Sequence, residues 1–184
     1  MTNFDELTCR HLSAAGDIHS GQPAANFSSH VGVEGNIDVS GRVNLLNGDL
    51  AEEFGVDTAE MGQLSAGTVV SLSGQGEIRQ SSAAYDKCVA GVVSGAGDYE
   101  PAIILDRKNS DTDRVPVAIT GKVACNVDAS YGPVEVGDLL TTSSTPGHAM
   151  KASDPERAFG AVIGKALRPI SEGRGVVPIL VALQ

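Results

Sequence analysis

Residues 115–123 of the chain read VPVAITGKV, an apolar run rich in β-branched residues that is long enough to form a strand. Several of the chain's apolar runs continue over consecutive positions, which is typical of strands buried on both faces. We therefore predict an all-β chain in which residues 48–184 form a compact barrel or sandwich. The other runs of this kind are GTVVSL at 67–72, CVAGVVS at 88–94, PAIIL at 101–105, DLLT at 138–141, GAVIG at 160–164 and VVPILVAL at 176–183.

The composition supports this fold class. The 184 residues include 22 Gly and 8 Pro, which suits short strands joined by tight turns and is unfavourable for a helical bundle. Aromatic residues make up only 4% of the chain, so Val, Ile, Leu and Ala must build the core. Pro116 and Pro178 cannot donate to a ladder, and we expect each at an edge, a bulge or a strand start.

Charge and cysteine usage exclude several function classes. The net charge of −10 repels nucleic acid phosphates and anionic membrane surfaces, so neither is an expected partner. The N-terminus lacks a basic region followed by an apolar run, and no apolar window could span a membrane, so we expect cytoplasmic synthesis. Cys9, Cys88 and Cys125 are widely separated, and we expect reduced, mostly buried thiols without a disulfide framework or a zinc site.

Residues 1–47 have a different texture, with very short alternating runs between glycines. The runs GDIHSG at 16–21 and GNIDVSG at 35–41 are imperfect copies of one turn–strand–turn unit. A lone unit cannot bury its apolar face, and the segment is similar to the intertwined stalks of phage tail fibres, in which three chains supply a common core. We therefore expect an attachment stalk in a homotrimer. A flexible leader is the alternative, because Ser, Gly and Asn also dominate linkers.

The β region contains an apparent internal repeat. Residues 67–97 can be laid over residues 137–167 at a constant offset, with Val69 on Leu139 and Val92 on Val162. Each stretch has a strand, a polar excursion with an acidic–basic pair, and a glycine-flanked apolar strand. We predict a duplicated domain with copies at about 56–105 and 127–181.

Three stretches together resemble a known domain: GDLAEEF at 48–54, YDKCVAGVVSGAG at 85–97 and VDASYGPVEVGDLL at 127–140. They are similar to the C-terminal domain of phage preneck-appendage and tail-spike proteins, an intramolecular chaperone that in some members cuts itself off. The resemblance covers about three quarters of the chain and implies a trimeric, β-rich module attached to a fibre or spike. In self-cleaving members an acidic residue near the domain start assists the cut, which here implies Glu52 or Glu53. No Ser or Asn followed by a family cleavage junction is recognised.

Other candidate sites have weaker sequence support. None of the histidines is spaced as a helix-borne metal pair, although three copies of His19 or His30 on a trimer axis could hold a metal ion. The Ser-rich pieces at 71–82 and 141–145 lack a nucleophile elbow. The acidic residues at 106, 111 and 113 lack the full ligand spacing of a calcium loop. We assign no cofactor and no metal.

The sequence thus predicts a non-enzymatic structural module of a phage-tail-like or injection-system assembly, serving as a trimeric fibre or spike cap or an adhesive tip. The loops at 74–86, 107–114 and 143–157 are its expected contact surfaces. An intramolecular chaperone with one-time autoproteolysis is the enzymatic alternative. A tip that binds a surface glycan is a third possibility, with Tyr85, Tyr99 and Tyr131 as the candidates for sugar stacking.

Overall fold

A computed structural model describes residues 32–46, 48–74, 76–108 and 113–183. The chain divides into two units, Met1–Val43 and Asn44–Gln184. In the described part of the first unit, residues 32–43, there is no helix or strand and every residue is exposed. All the elements named below belong to the second unit.

The second unit is almost entirely β-structured, which confirms the predicted fold class. Each of the seven predicted runs contains a strand, whereas β1, β3 and β8 were not predicted. Short 3-10 helices occupy Thr58–Glu60 and Ala129–Tyr131, and a single turn of α-helix, α1, occupies Pro155–Ala158. The strands are β1 Asp49–Gly55, β2 Val69–Leu72, β3 Ile78–Gln80, β4 Val89–Val93, β5 Pro101–Leu105, β6 Arg114–Asp128, β7 Leu139–Thr142, β8 Ala149–Lys151, β9 Val162–Ala166 and β10 Arg174–Ala182.

The long strand β6 organises the sheet. The strand order is β10-β9-β7-β8-β6-β4-β2-β3, and a further pairing of β10 with β6 closes a barrel on one side. On the other side β1 pairs with β6, and a bridge between Val56 and Ile78 joins the end of β1 to β3. β5 lies outside this second ring and pairs in parallel with β1. The unit therefore consists of two small barrels that share β6.

The two halves of the unit repeat one pattern. Parallel bridges join Val56 to Ile78 in the first half and Val127 to Ala149 in the second. A 3-10 helix follows each bridge, and its first turn is capped by a carboxylate, Asp57 or Asp128. The strand order is then the same in both halves, β3-β2-β4-β6 and β8-β7-β9-β10. The end of β6 is equivalent to β1, so one strand serves both halves.

Equivalent positions follow from the pairing registers. Val69 pairs with Val92, and Leu139 pairs with Lys165, so the structural equivalent of Val92 is Lys165. The constant offset that placed Val92 on Val162 is therefore wrong by three residues after the first strand, because the second half has a longer excursion before β9. That the halves arose by duplication, with copies at 56–105 and 127–181, stays a prediction.

The two prolines occupy equivalent positions. The carbonyl of Pro116 accepts the N–H of Ser94, and the carbonyl of Pro178 accepts the N–H of Leu167, each at 2.9 Å. Pro116 lies near the start of β6, as expected. Pro178 instead lies in the middle of β10, at the point where the pairing with β9 ends, so a missing N–H is tolerated there.

The structure also bears on the predicted contact loops and on the burial of the cysteines. Of the predicted contact loops, 74–86 contains β3, and 143–157 contains β8 and the first three residues of α1. The third, 107–114, lies partly outside the described residues. Cys125 is buried, as expected, which raises its pKa to about 12, whereas Cys88 is exposed and Cys9 lies outside the described residues. Within the described residues, no helix has the length and apolar character needed to cross a membrane.

Candidate functional site

The two acidic residues implied by the family resemblance lie side by side on β1. The Glu53 side chain is only 11% exposed, and its carboxylate lies 3.6 Å from Nε of Arg114 and 3.7 Å from Nε of Arg107. Arg114 also donates from Nη2 to the Glu53 carbonyl at 2.6 Å. Glu52 is half-buried and pairs with Val117 of β6. Glu53 is therefore held by arginines that fasten β1 to the start of β6. The axial candidates His19 and His30 lie outside the described residues.

A different carboxylate, Asp49, has the environment expected of a functional group near the domain start. Asp49 is 3% exposed, and its Oδ2 accepts a hydrogen bond from Oγ of Ser94 at 2.7 Å. Its other oxygen, Oδ1, is buried without a hydrogen-bond partner among the described residues. Burial raises the pKa of Asp49, the Ser94 hydroxyl partly offsets this, and the negative charge of Glu100 adds to the rise. A buried carboxyl with a raised pKa is a recognised signature of functional sites.

The backbone beside Asp49 is closely packed where the chain enters β1. Gly48 donates to the carbonyl of Glu100 at 3.1 Å and accepts from the N–H of Lys122 at 3.0 Å. A Cβ at Gly48 would lie 2.9 Å from the Lys122 carbonyl oxygen, and a Cβ at Gly121 would lie 2.6 Å from the Gly48 carbonyl oxygen. Both positions therefore require glycine. An open cleft of about 470 Å³ adjoins them, lined by Leu46, Gly48, Asp98, Tyr99, Gly121, Lys122 and Leu180.

Replacing Asp49 with Asn is expected to stabilise the fold at neutral pH, because the pKa of Asp49 is raised and its buried anion is unfavourable. The carboxyl contributes stability while it is protonated, and that contribution is lost as the pH rises through its folded-state pKa. The stability difference between Asp49→Asn and the parent protein should thus be largest at pH 7 and shrink in acid. Urea unfolding at pH 7 and at pH 4 measures it. A variant that is less stable at pH 7 would show that the ionised carboxylate is favoured.

A second buried carboxylate, Asp128, is fully satisfied by its neighbours. It is 2% exposed, and its Oδ2 accepts from Oγ1 of Thr145 at 2.7 Å and from Nε of Arg174 at 3.1 Å. Its Oδ1 accepts from the N–H of Ser130 at 2.9 Å. Burial alone would raise the pKa of Asp128, but the hydrogen bonds from Thr145, Ser130 and Arg174 outweigh it and hold the pKa well below its usual range. Asp128 is therefore a structural anion that fixes the end of β6.

The tyrosines proposed for sugar stacking have separate surroundings. The ring of Tyr85 is covered by the Arg157 guanidinium at 4.4 Å, and its hydroxyl accepts the N–H of Asp154 at 2.9 Å. Tyr99 lines the cleft beside Gly48, and the Tyr131 hydroxyl bonds to Oγ1 of Thr145 at 3.1 Å. The Tyr85 ring face is thus already used to hold the two polar excursions together.

The acidic residues considered as a calcium loop lie among basic side chains. Across residues 32–46, 48–74, 76–108 and 113–183, no group of three or more His, Cys, Asp or Glu side chains is placed to hold a metal ion. Of the acidic residues at 106, 111 and 113, which lack the spacing of a calcium loop, Asp106 is bound by Lys108 at 2.9 Å and by Arg114 at 3.0 Å, and Asp111 lies outside the described residues. Asp106 therefore belongs to a charge-balanced surface cluster.

Comparison with known proteins identifies the fold. Models of known protein families gave no match to the sequence, and a search for relatives among curated proteins gave none either. Among solved structures, the chain is similar to the pre-mature gene product 12 of bacteriophage phi29, with a TM-score of 0.56 and 16% identity over 82% of this chain. The chain spans 24% of the length of gene product 12. A second match, the head fiber gp8.5 N base of bacteriophage phi29, has a TM-score of 0.33 and 18% identity, covering 73% of this chain and 89% of that one.

Proposed function

We propose that this chain is a non-enzymatic structural module of a phage or phage-tail-like assembly, in which it acts as a trimeric cap of a fibre or spike. The observation that carries the proposal is the fold shared with phage gene product 12 over 82% of the chain. Synthesis in the cytoplasm and later incorporation into a virion or tail-like particle follow from this role. A folding-nucleus role, as an intramolecular chaperone for a longer fibre, is compatible with the same position in the assembly.

The described part of the N-terminal unit supports the trimer. From residue 33 to residue 43 every odd position is apolar or glycine, and every even position is polar. This is the two-residue period of a strand with one apolar face. Val33, Ile37, Val39 and Val43 are 47%, 70%, 50% and 64% exposed. Further copies of the same segment would cover this face and supply its missing ladder partners.

Adding charge to the odd face is therefore expected to separate the subunits. The parent protein should have three times its chain mass by light scattering, and the double variant Ile37→Asp/Val39→Asp should have the mass of one chain. The matched control is Asn36→Asp/Ser40→Asp, which adds the same charge to the even face and should remain trimeric. A parent protein that is monomeric over the micromolar range would contradict the trimeric cap, whereas two trimeric variants would contradict only the role of this segment.

Autoproteolysis is a second candidate function, and the buried Asp49 favours it. Asp49 is a carboxyl with a raised pKa beside the tightly packed Gly48, where the chain enters β1. It lies three residues before the acidic pair that the family resemblance implied. If the chain cuts itself near this point, denaturing mass spectrometry of fresh protein will show fragments that join between residues 40 and 50, and Asp49→Asn will abolish them. A chain that stays intact after prolonged incubation would exclude this function.

A further inference from the structure

The first half buries one row of side chains completely. Val69, Val92, Ala118 and Ala51 are neighbours across β2, β4, β6 and β1, and each has an exposed fraction of 0%. Val69, Val92 and Ala118 pack into the same apolar cluster as the interior of the second half. The row is therefore the face through which the first half is covered by the second.

Backbone contacts fix this internal packing. The N–H of Val69 donates to the carbonyl of Gly147 at 3.0 Å, and the N–H of Asn126 donates to the carbonyl of Gly67 at 2.8 Å. The N–H of Gly147 donates to the carbonyl of Ser81 at 2.8 Å. One side of the second half thus lies directly on the β2 side of the first half.

The equivalent row of the second half faces outwards. Its members, in the same order and register, are Leu139, Lys165, Leu180 and Lys122. All are exposed, with Leu139 at 39% and Leu180 at 41%.

The preceding glycines show the same contrast. Gly67 and Gly137 both have a φ of +89°, but a Cβ at Gly67 would lie 3.2 Å from Oδ1 of Asn126, whereas a Cβ at Gly137 would meet nothing within 4 Å. The second half thus repeats the backbone of a buried face without the element that buries it.

The buried row contains only Val and Ala, whereas the exposed row contains charged side chains as well as apolar ones. Two leucines alternate with two lysines, so the row offers both apolar contact and positive charge. An adjacent groove lined by Leu139, Pro155, Ala158, Phe159 and Val162 extends the apolar surface, and Phe159 is 84% exposed. A partner for this face needs an apolar contact flanked by carboxylates.

We propose that this Leu/Lys row is covered by the first half of a second copy of the chain, in an arrangement that repeats the internal packing of the two halves. The second half covers the first through Asn126, Gly147 and Thr142, whose carbonyl accepts the N–H of Tyr85 at 3.2 Å. The equivalent positions of the first half are Gly55, Gly76 and Leu72. Leu72 is 40% exposed. A Cβ at Gly55 would lie 3.7 Å from Cγ of Glu77, so the side chain of Glu77 lies beside Gly55 on this surface. The surface thus carries both the apolar group and the negative charge that the Leu/Lys row requires.

Such an interface joins two different surfaces, so repetition closes a ring when the rotation allows it. Three copies with two barrels each would form a ring of six similar barrels. The inference therefore rests on the proposed homotrimer, and it adds the surface through which the β units associate.

Charge reversal tests this interface in the full-length protein. Lys165→Glu and Glu77→Lys should each raise the dissociation constant of the oligomer by about ten-fold or more, because like charges then face each other. Combining both substitutions in one chain should restore association. Arg168→Glu, an equal charge change at an exposed position after β9, is the matched control and should leave the constant unchanged. Sedimentation equilibrium measures the dissociation constant of the parent and of the four variants.

The outcomes separate the interface from the trimer itself. If the parent is trimeric but Lys165→Glu and Glu77→Lys associate as tightly as the parent, this interface is wrong and the trimeric cap stands. If the parent is monomeric, both the interface and the trimeric cap are wrong. If the two single variants weaken association and the double variant does not recover, the two residues do not face each other and the arrangement is overturned.

Directed cross-linking tests the arrangement without relying on charge. In a background with Cys9 and Cys88 replaced by Ser, Leu139→Cys and Gly76→Cys proteins are mixed and oxidised, because these positions are equivalent to Val69 and Gly147, whose backbones are hydrogen-bonded at 3.0 Å within the chain. Cross-linked dimers should form in the mixture and not in either protein alone. Self-linking of Leu139→Cys would show that the rows of two copies face each other, and an absence of links in all three samples would show that Gly76 does not approach the row. Either result overturns the proposal.

Discussion

Replacing Gly164 with Ala is expected to destabilise the β unit by about 3 kcal/mol, because the new methyl group has no space. Gly164 lies in β9 directly against β10, and a Cβ there would overlap the carbonyl oxygen of Leu180 and lie 3.0 Å from Cα of Val181. Both obstructing groups belong to the backbone of a paired strand and cannot turn away as a side chain could. The strands must separate, which breaks the ladder that closes the second barrel.

The equivalent Gly91 should behave in the same way. A Cβ at Gly91 would overlap the carbonyl oxygen of Ala118, which occupies in the first half the position that Leu180 occupies in the second. The positive φ of +147° at Gly91 adds backbone strain for any L-residue. We therefore expect Gly91→Ala to cost at least as much stability as Gly164→Ala.

The measurement is urea unfolding followed by far-ultraviolet circular dichroism, with Gly74→Ala as the matched control. A Cβ at Gly74 would meet nothing within 4 Å, so the control should change the unfolding free energy by less than about 0.5 kcal/mol. If Gly164→Ala unfolds at the same urea concentration as the control, the close approach of β9 and β10 does not exist.

Gly91 and Gly164 show which features of the fold the sequence could predict and which it could not. The apolar runs gave the strand positions because buried strands are rich in Val, Ile and Leu whatever their partners are. The sequence could not show why positions 91 and 164 must be glycine, because the carbonyl that obstructs a Cβ at each position belongs to another strand. Pairing Gly91 with Gly164 would have required an offset three residues longer than the one that matches Val69 with Leu139.

The strands that sequence reasoning missed have a common cause. β1 contains Asp49, Glu52 and Glu53, and this acidic composition is untypical of a strand even though β1 is paired on both sides. β3 and β8 have three residues each, too few to show a period. The long β6 was predicted only as far as residue 123, because its second part, ACNVD, contains Asn126 and Asp128, which are half-buried and buried where the two halves meet.

The candidate site was less accessible to prediction than the fold. The resemblance pointed to Glu52 or Glu53, while the buried carboxyl with an unpaired oxygen is Asp49, a few residues earlier on the same strand. No local pattern distinguishes these three acids. Their difference arises from Ser94 and Glu100, which reach Asp49 from distant parts of the chain, and from Arg114, which reaches Glu53.

Replacing Asp128 with Asn is expected to lower the unfolding free energy by about 2 kcal/mol at pH 7, because buried donors then lose their anionic acceptor. The carboxylate of Asp128 accepts from the Thr145 hydroxyl, the Arg174 guanidinium and the Ser130 N–H. An amide at this position must turn its NH2 group towards at least one of these donors. The end of β6, which both halves share, would then lose its attachment to Thr145 in the loop before β8.

The matched control is Asp57→Asn, the equivalent cap of the first half. Asp57 is only partly buried and, among the described residues, accepts one hydrogen bond, from the N–H of Ala59 at 3.1 Å, so its substitution should cost less than about 1 kcal/mol. Chemical unfolding of both variants at pH 7 gives the comparison. Equal effects would show that the buried network around Asp128 adds nothing to an ordinary cap.

The pH dependence separates the charge of Asp128 from its shape. Because the folded-state pKa of Asp128 is lowered, its stabilisation is complete above the usual pKa of an aspartate, about 4, and is lost as the pH falls towards the folded-state value. The difference between the parent and Asp128→Asn should therefore shrink steadily below pH 4. A difference that is the same at pH 7 and pH 2.5 would assign the effect to packing. A shrinking difference would show that the fold depends on an ionised carboxylate at the point where its two halves are joined.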